Sequence, residues 1–183
     1  GIGQGLPNMG DIDRQAIGGA LGTATHGSGP TLSAYHTQLE TAQIIDGQGR
    51  LREFSRAGDQ DMIHATGVAL GAFGILTEVT MSNIPTYRLR RRKWVLPIAD
   101  MLSDFETMMA AHRSAEFYYI PFSGYAQFIA SDLSDAPTTE RPTEDDEAGL
   151  ATLRRLRTAL RWLPSLRRRL ILGAIAKLPS QDY

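Results

Sequence analysis

Residues 7–29 read PNMGDIDRQAIGGALGTATHGSG, and this stretch limits what the first half of the chain can become. Gly10, Gly18, Gly19, Gly22, Gly27 and Gly29 lie among mostly small residues, with Thr23, Thr25 and His26 among the polar side chains. A segment with so little bulk cannot fill a core. It can let backbone approach a neighbour closely, with amide N–H groups turned outward. Asp11 and Asp13 are helix N-cap residue types, so a two-turn helix is expected over residues 14–21. Gly22 closes it, and residues 23–27 run on extended. A short helix between glycine-bearing turns can seat a phosphate on its N-terminal amides. Two readings follow: a pyrophosphate cradle for a nucleotide, or a glycine-rich surface turn.

Several chemistries are excluded or unsupported. The chain has no cysteine, which removes disulfides, thiolate metal sites and a Cys nucleophile. Its four histidines, His26, His36, His64 and His112, show no i,i+3 or i,i+4 pairing, so no metal site is expected. The run His26-Gly-Ser-Gly is not a G-x-S-x-G nucleophile elbow. A formal net charge of −1 gives the chain as a whole no bias toward polyanions. No signal-peptide pattern opens the sequence, and no apolar run reaches the ~18 residues of a spanning helix. A cytoplasmic or membrane-associated location is the expectation.

Composition divides the chain. Fifteen of the eighteen glycines precede residue 75, and Pro85 marks a break. Before the break, strands are expected at residues 37–46 and 50–55 around a Gly47-Gln-Gly49 turn. A helix capped by Asp59 or Asp61 follows, then a strand over 75–84 with Ile75, Thr77, Val79 and Met81 on one face. After it come a basic strand over 88–96, one helix over 98–112, and strands at 116–121 and 126–132. Tyr118, Tyr119 and Tyr125 could line a sugar pocket or fill the sheet core. Residues 134–147 are polar, with six acids, and read as a loop. Residues 148–179 then carry eight basic residues and no acid, as two helices separated by Pro164. They read either as helices flanking a sheet with snorkelling arginines, or as a surface for a membrane or an acidic partner.

The motif PNMGDID followed by IGGALGTATHGSG resembles the flavin-binding loop of the aldonolactone oxidases, which are vanillyl-alcohol-oxidase-type FAD flavoproteins. GAFGILTEVTMSNIP (residues 71–85) is similar to the strand closing the same domain. HRSAEFYYIPFSG (residues 112–124) is similar to the start of the family's substrate domain. The chain departs from the pattern at Ala24, where the family usually has Gly. The resemblance implies an α+β fold: the second half of an FAD-binding domain over residues 1–86, then the start of an antiparallel-sheet-plus-helices substrate domain over 87–183. An upstream half carrying the flavin-linked His would complete the first domain. The implied cofactor is FAD. Asp11, Asp13, Ala16, Gly18, Gly19, Thr23, Ala24, Thr25, His26 and Gly27 would contact its pyrophosphate and flavin edge. Gly74, Ile75 and Leu76 would meet its adenine end.

The implied activity is oxidation of a hydroxyl of a sugar lactone or polyol by hydride transfer to flavin, with oxygen or another acceptor taking the electrons. Such a fragment would be inactive alone. The family's substrate base lies around a His-x-Gly-Lys motif that this sequence lacks, so no catalytic residue is assigned. The alternative is a basic-helix adaptor for membranes or nucleic acid, without catalysis. On the enzyme reading no nucleic-acid partner is expected, while peripheral membrane contact stays open.

Overall fold

The computed structural model describes every residue except 1, 13, 122, 141–150, 152, 153, 156, 157, 176 and 177. Asp13, the second half of the acidic loop and part of the expected helix before Pro164 lie outside the described residues. The chain divides into two compact units, Gly1–Tyr87 and Arg88–Tyr183. All strand pairing among the described residues is antiparallel, which with the helices gives an α+β architecture.

In the first unit, β2 (Leu39–Ile45) is the middle strand of a sheet, between β3 (Leu51–Ser55) and β4 (Ile75–Met81). The β2–β3 hairpin forms because Asp46 accepts backbone N–H bonds from Gln48 and Arg50 at 2.9 and 3.0 Å, with Gly49 at φ 75°. Helix α1 (Ile17–Gly22), a 3-10 turn (Tyr35–Gln38) and α2 (Gln60–Gly67) accompany this sheet. Asp59 caps α2 through Met62 N at 3.0 Å, and the helix stops at Gly67. The core is Leu21, Leu39, Ala42 and Ile63, joined by Tyr35, Phe54, Leu76, Val79 and Met81.

Two expectations for the strand at 75–84 are corrected. It ends at Met81, and Ile84–Pro85 forms a separate strand, β5, paired with β1 (Gln4–Gly5). Val79 and Met81 face the core as expected, but Ile75 and Thr77 do not. Gln43 pairs with Glu78 but Ile44 pairs with Leu76, so Thr77 is an extra residue in a bulge. The bulge exchanges faces, sending Leu76 inward and leaving Ile75 72 % exposed.

The second unit is a four-stranded sheet in the order β7 (Ser114–Ile120), β8 (Tyr125–Leu133), β6 (Leu89–Pro97), β9 (Gln181–Asp182). The helix expected over 98–112 is broken at Asp104 into α3 (Ile98–Ser103) and α4 (Phe105–Ala110), because Asp104 leaves helical geometry at φ −109°, ψ 12°. Met101, Ala115, Ala126, Phe128 and Ala130 form the core, with Trp94, Leu96, Met108 and Met109 packed on it. Helix α5 (Pro164–Ile175) begins at the proline expected to separate a pair of helices. Tyr118 and Tyr119 are both about half exposed and point to opposite faces of β7, so they cannot line one pocket together. No helix among the described residues is long and apolar enough to cross a membrane.

Candidate cofactor site

The glycine-rich stretch folds back on itself. Asn8, 6 % exposed, donates from Nδ2 to Gly27 O and to Ser33 O, both at 3.2 Å. A Cβ on Gly27 would lie 2.2 Å from Met9 O and 2.3 Å from Asn8 Oδ1. Gly27 is therefore required by the crossing of two backbone segments. Gly10 N donates to the Tyr35 hydroxyl at 3.2 Å, and Tyr35 N donates to Thr25 O at 3.0 Å. Asn8 and Tyr35 are thus the fasteners of this loop, a role that neither is assigned from sequence alone. The PN pair that opens the motif was the available signal.

Helix α1 is shorter than expected. Its N-cap is Ala16, at φ −73°, ψ 152°, with no side-chain cap, so Asp11 does not cap it. The first internal bond runs from Ala20 N to Ala16 O at 2.9 Å. The amides of Ile17, Gly18 and Gly19 precede that bond and face out of the helix N-terminus. Gly18 and Gly19 are exposed, and a Cβ on either would meet nothing within 4 Å. Here the missing side chains leave room rather than relieve a clash.

The residues after α1 behave differently from the expectation of an extended donor strip. Thr23 N, Ala24 N and Thr25 N donate to Gly19 O, Leu21 O and Ala20 O at 3.1, 3.0 and 2.8 Å. Those amides close the helix and are already taken before any anion arrives. The Thr23 hydroxyl donates to Gly19 O at 2.9 Å and the Thr25 hydroxyl to Gln15 Oε1 at 3.1 Å. Ala24 sits at φ 54°, the left-handed region that favours glycine. The backbone thus has a conformation that suits glycine and carries a methyl in it. His26 Nδ1 lies 2.8 Å from Gly27 O; a carbonyl only accepts, so Nδ1 donates.

A cavity of about 210 Å³ in the same unit joins the two groups of residues singled out in the sequence. Its wall includes Gly18 and Gly22 of α1, Thr66 of α2, Leu70 and Phe73 of the following turn, and Gly74 and Leu76 at the start of β4. Ile75 does not join it, and Asp11, Ala16 and Gly19 lie outside its wall. Gly74 is at φ 131°, and its Cβ would fall 2.0 Å from Ile45 O, so strand crossing dictates glycine there. Thr66 is 7 % exposed and its hydroxyl has no partner among the described residues. An uncapped helix start with open glycines can accept a diphosphate, and a largely apolar cavity beside it can accept a flat ring. On these observations the residues present fit a dinucleotide. No metal-ligand cluster exists among the described residues.

The family model for D-arabinono-1,4-lactone oxidase matches residues 79–178. The chain belongs to the D-arabinono-1,4-lactone oxidase family. It is 30 % identical over 138 residues to L-gulono-1,4-lactone dehydrogenase of Mycobacterium tuberculosis, covering 75 % of this chain and 32 % of that protein. It is 24 % identical over 136 residues to L-gulonolactone oxidase of Scyliorhinus torazame, covering 74 % and 31 %. D-arabinono-1,4-lactone oxidase of Debaryomyces hansenii is 24 % identical over 135 residues, covering 74 % and 24 %. The chain therefore spans a quarter to a third of the length of these curated relatives. A variant of cholesterol oxidase from Brevibacterium sterolicum superposes with a TM-score of 0.66 at 18 % identity, over 98 % of this chain and 40 % of that one. The fold of this member of the D-arabinono-1,4-lactone oxidase family is thus that of the vanillyl-alcohol-oxidase-type FAD-binding proteins.

The second unit of this family member holds a separate polar cluster. Asp132 accepts from Arg113 N at 3.0 Å, from His112 Nδ1 at 2.9 Å and from Arg92 Nη2 at 3.2 Å. Partial burial pushes the Asp132 carboxyl up, but the hydrogen bonds from Arg113 and His112 outweigh it and hold it below the usual range.

Proposed function

We propose that this chain belongs to an FAD-dependent oxidoreductase that oxidises a CH–OH group of a sugar lactone or polyol, in the manner of D-arabinono-1,4-lactone oxidase. Residues 1–86 serve as the closing portion of the FAD-binding domain and residues 87–183 as the start of the substrate domain. One observation carries the reading: in a chain of this family, a single cavity is walled by Gly18 of the glycine-rich helix and by Gly74 and Leu76 of β4. The Ile17–Gly19 amides face the diphosphate, the Gly18–Leu76 cavity takes the nucleotide's ring, and His26 Nε2 is free to orient the loop or meet the flavin edge. FAD supplies the hydride acceptor, and oxygen or another electron acceptor restores it. The relatives' names include both oxidases and a dehydrogenase, which supports either acceptor. The protein works in the cytoplasm or at a membrane face, where its basic segment makes the peripheral contact.

The substrate class is tested on the purified, flavin-loaded protein under anaerobic conditions. Addition of D-arabinono-1,4-lactone or L-gulono-1,4-lactone is expected to bleach the flavin absorption band. A band unchanged by aldonolactones and by alditols alike would contradict the proposal.

A further inference from the structure

Thr66 is buried without a partner. It stands on α2 with Ile63 and Gly67, all three buried, and is 7 % exposed. A helical threonine ordinarily returns its hydroxyl to a carbonyl three or four residues back. The Thr66 hydroxyl does not, and no other polar atom among the described residues meets it. A hydroxyl taken out of water with nothing to bond costs free energy, so such a group in a native fold calls for a partner. This end of α2 has little room to shift toward one. The next residue, Gly67, sits so close to the 3-10 turn that its Cβ would lie 2.9 Å from His36 Cβ.

The unmet hydroxyl coincides with the cavity beside α1. Ten described residues wall that cavity, and among them Thr66 alone has a polar side chain. The others are glycines and apolar residues, including Leu70 and Phe73, which are 77 and 42 % exposed. A flat ring with a polar edge answers all three features: the apolar wall, the exposed apolar side chains and the single hydroxyl. FAD carries two ring systems. The flavin must stay open to the substrate to accept hydride. Adenine has no such duty. Its edge presents ring nitrogens, which accept, and an exocyclic amine, which donates. A threonine hydroxyl both donates and accepts, so it serves either. We propose that Thr66 is a specificity-determining residue of the cofactor site, its hydroxyl hydrogen-bonding the edge of the adenine ring in the cavity between α1, α2 and β4. The proposal rests on the FAD reading above and adds the side chain that recognises the base.

The test uses full-length protein produced free of flavin in a riboflavin-requiring host, then titrated with FAD, ADP and FMN. Thr66→Val keeps the β-branched shape and removes the hydroxyl. It should weaken FAD and ADP about fivefold to tenfold, the worth of one hydrogen bond. FMN, which has no adenine, should bind wild type and Thr66→Val alike. Thr66→Ser keeps the hydroxyl and should hold FAD and ADP within about threefold of wild type. The flavin-free Thr66→Val protein should melt no lower than wild type, since the group it loses has no protein partner there. A midpoint lowered by several degrees would make the hydroxyl a structural one and overturn the proposal. Unchanged FAD affinity in Thr66→Val overturns it and leaves the FAD reading standing. A loss seen with FMN and not with ADP moves the hydroxyl to the flavin ring and overturns it as well. Wild-type protein that takes up no FAD overturns both.

Discussion

Ala24 and Gly27 are three positions apart and carry opposite costs. Ala24 holds a left-handed backbone conformation with a Cβ that glycine would not have. Ala24→Gly is expected to stabilise the first unit by about 1 kcal/mol, read as a rise in thermal midpoint of a few degrees. Gly27→Ala should do the reverse by about 3 kcal/mol, because its methyl would have to enter the Met9 carbonyl and both segments are backbone. In the second unit Asp132 is a depressed carboxylate. Its contribution is present in full above the ordinary carboxylate range, and is lost as pH falls through the depressed folded value. Asp132→Asn should cost about 1.5 kcal/mol near neutral pH, the side chain being a third exposed, and should flatten that acid limb in denaturation curves collected across pH.

Among the helices and strands, the sequence was most legible where a local rule decided the outcome. The Asp46-to-Arg50 turn, the Asp59 cap and the β7–β8 pair each follow from residues within a few positions of each other. Asp59→Ala should therefore cost about 1 kcal/mol, measured by urea denaturation. Legibility failed where a distant partner decided. The start of α1 has no capping side chain, so the aspartates upstream pointed to a start three residues too early. The bulge at Thr77 is set by pairing with β2 across the sheet, and it reversed the face expected of Ile75. Strands β1, β5 and β9 are two residues long and exist only through remote pairing. Of the residues at the candidate site, the glycines were visible because bulk is absent from the sequence itself. Asn8, Tyr35 and Thr66 were not, since their roles depend on the loop closing and on α2 facing α1.

Among the described residues there are two cores, one around Ile63 and one around Phe128, both side chains being fully buried. Both tryptophans, Trp94 and Trp162, belong to the second unit. Ile63→Ala should thus shift the unfolding midpoint seen by far-UV circular dichroism and leave the tryptophan transition in place, and Phe128→Ala should move the tryptophan transition by about 3–5 kcal/mol. A single transition displaced equally by both variants would show one cooperative unit. The function proposed above rests, in turn, on the glycines of α1 receiving FAD. Gly18 is the position that probes this, because a Cβ there meets no atom within 4 Å outside its own helix, yet the residue is part of the cavity wall. The decisive quantity is the flavin-to-protein absorbance ratio of purified full-length protein, wild type against Gly18→Val, with Arg52→Ala on the exposed strand β3 as control. Gly18→Val is expected to lose most of its flavin while Arg52→Ala keeps it. An equal ratio in wild type and Gly18→Val would mean that the α1 glycines do not receive the cofactor.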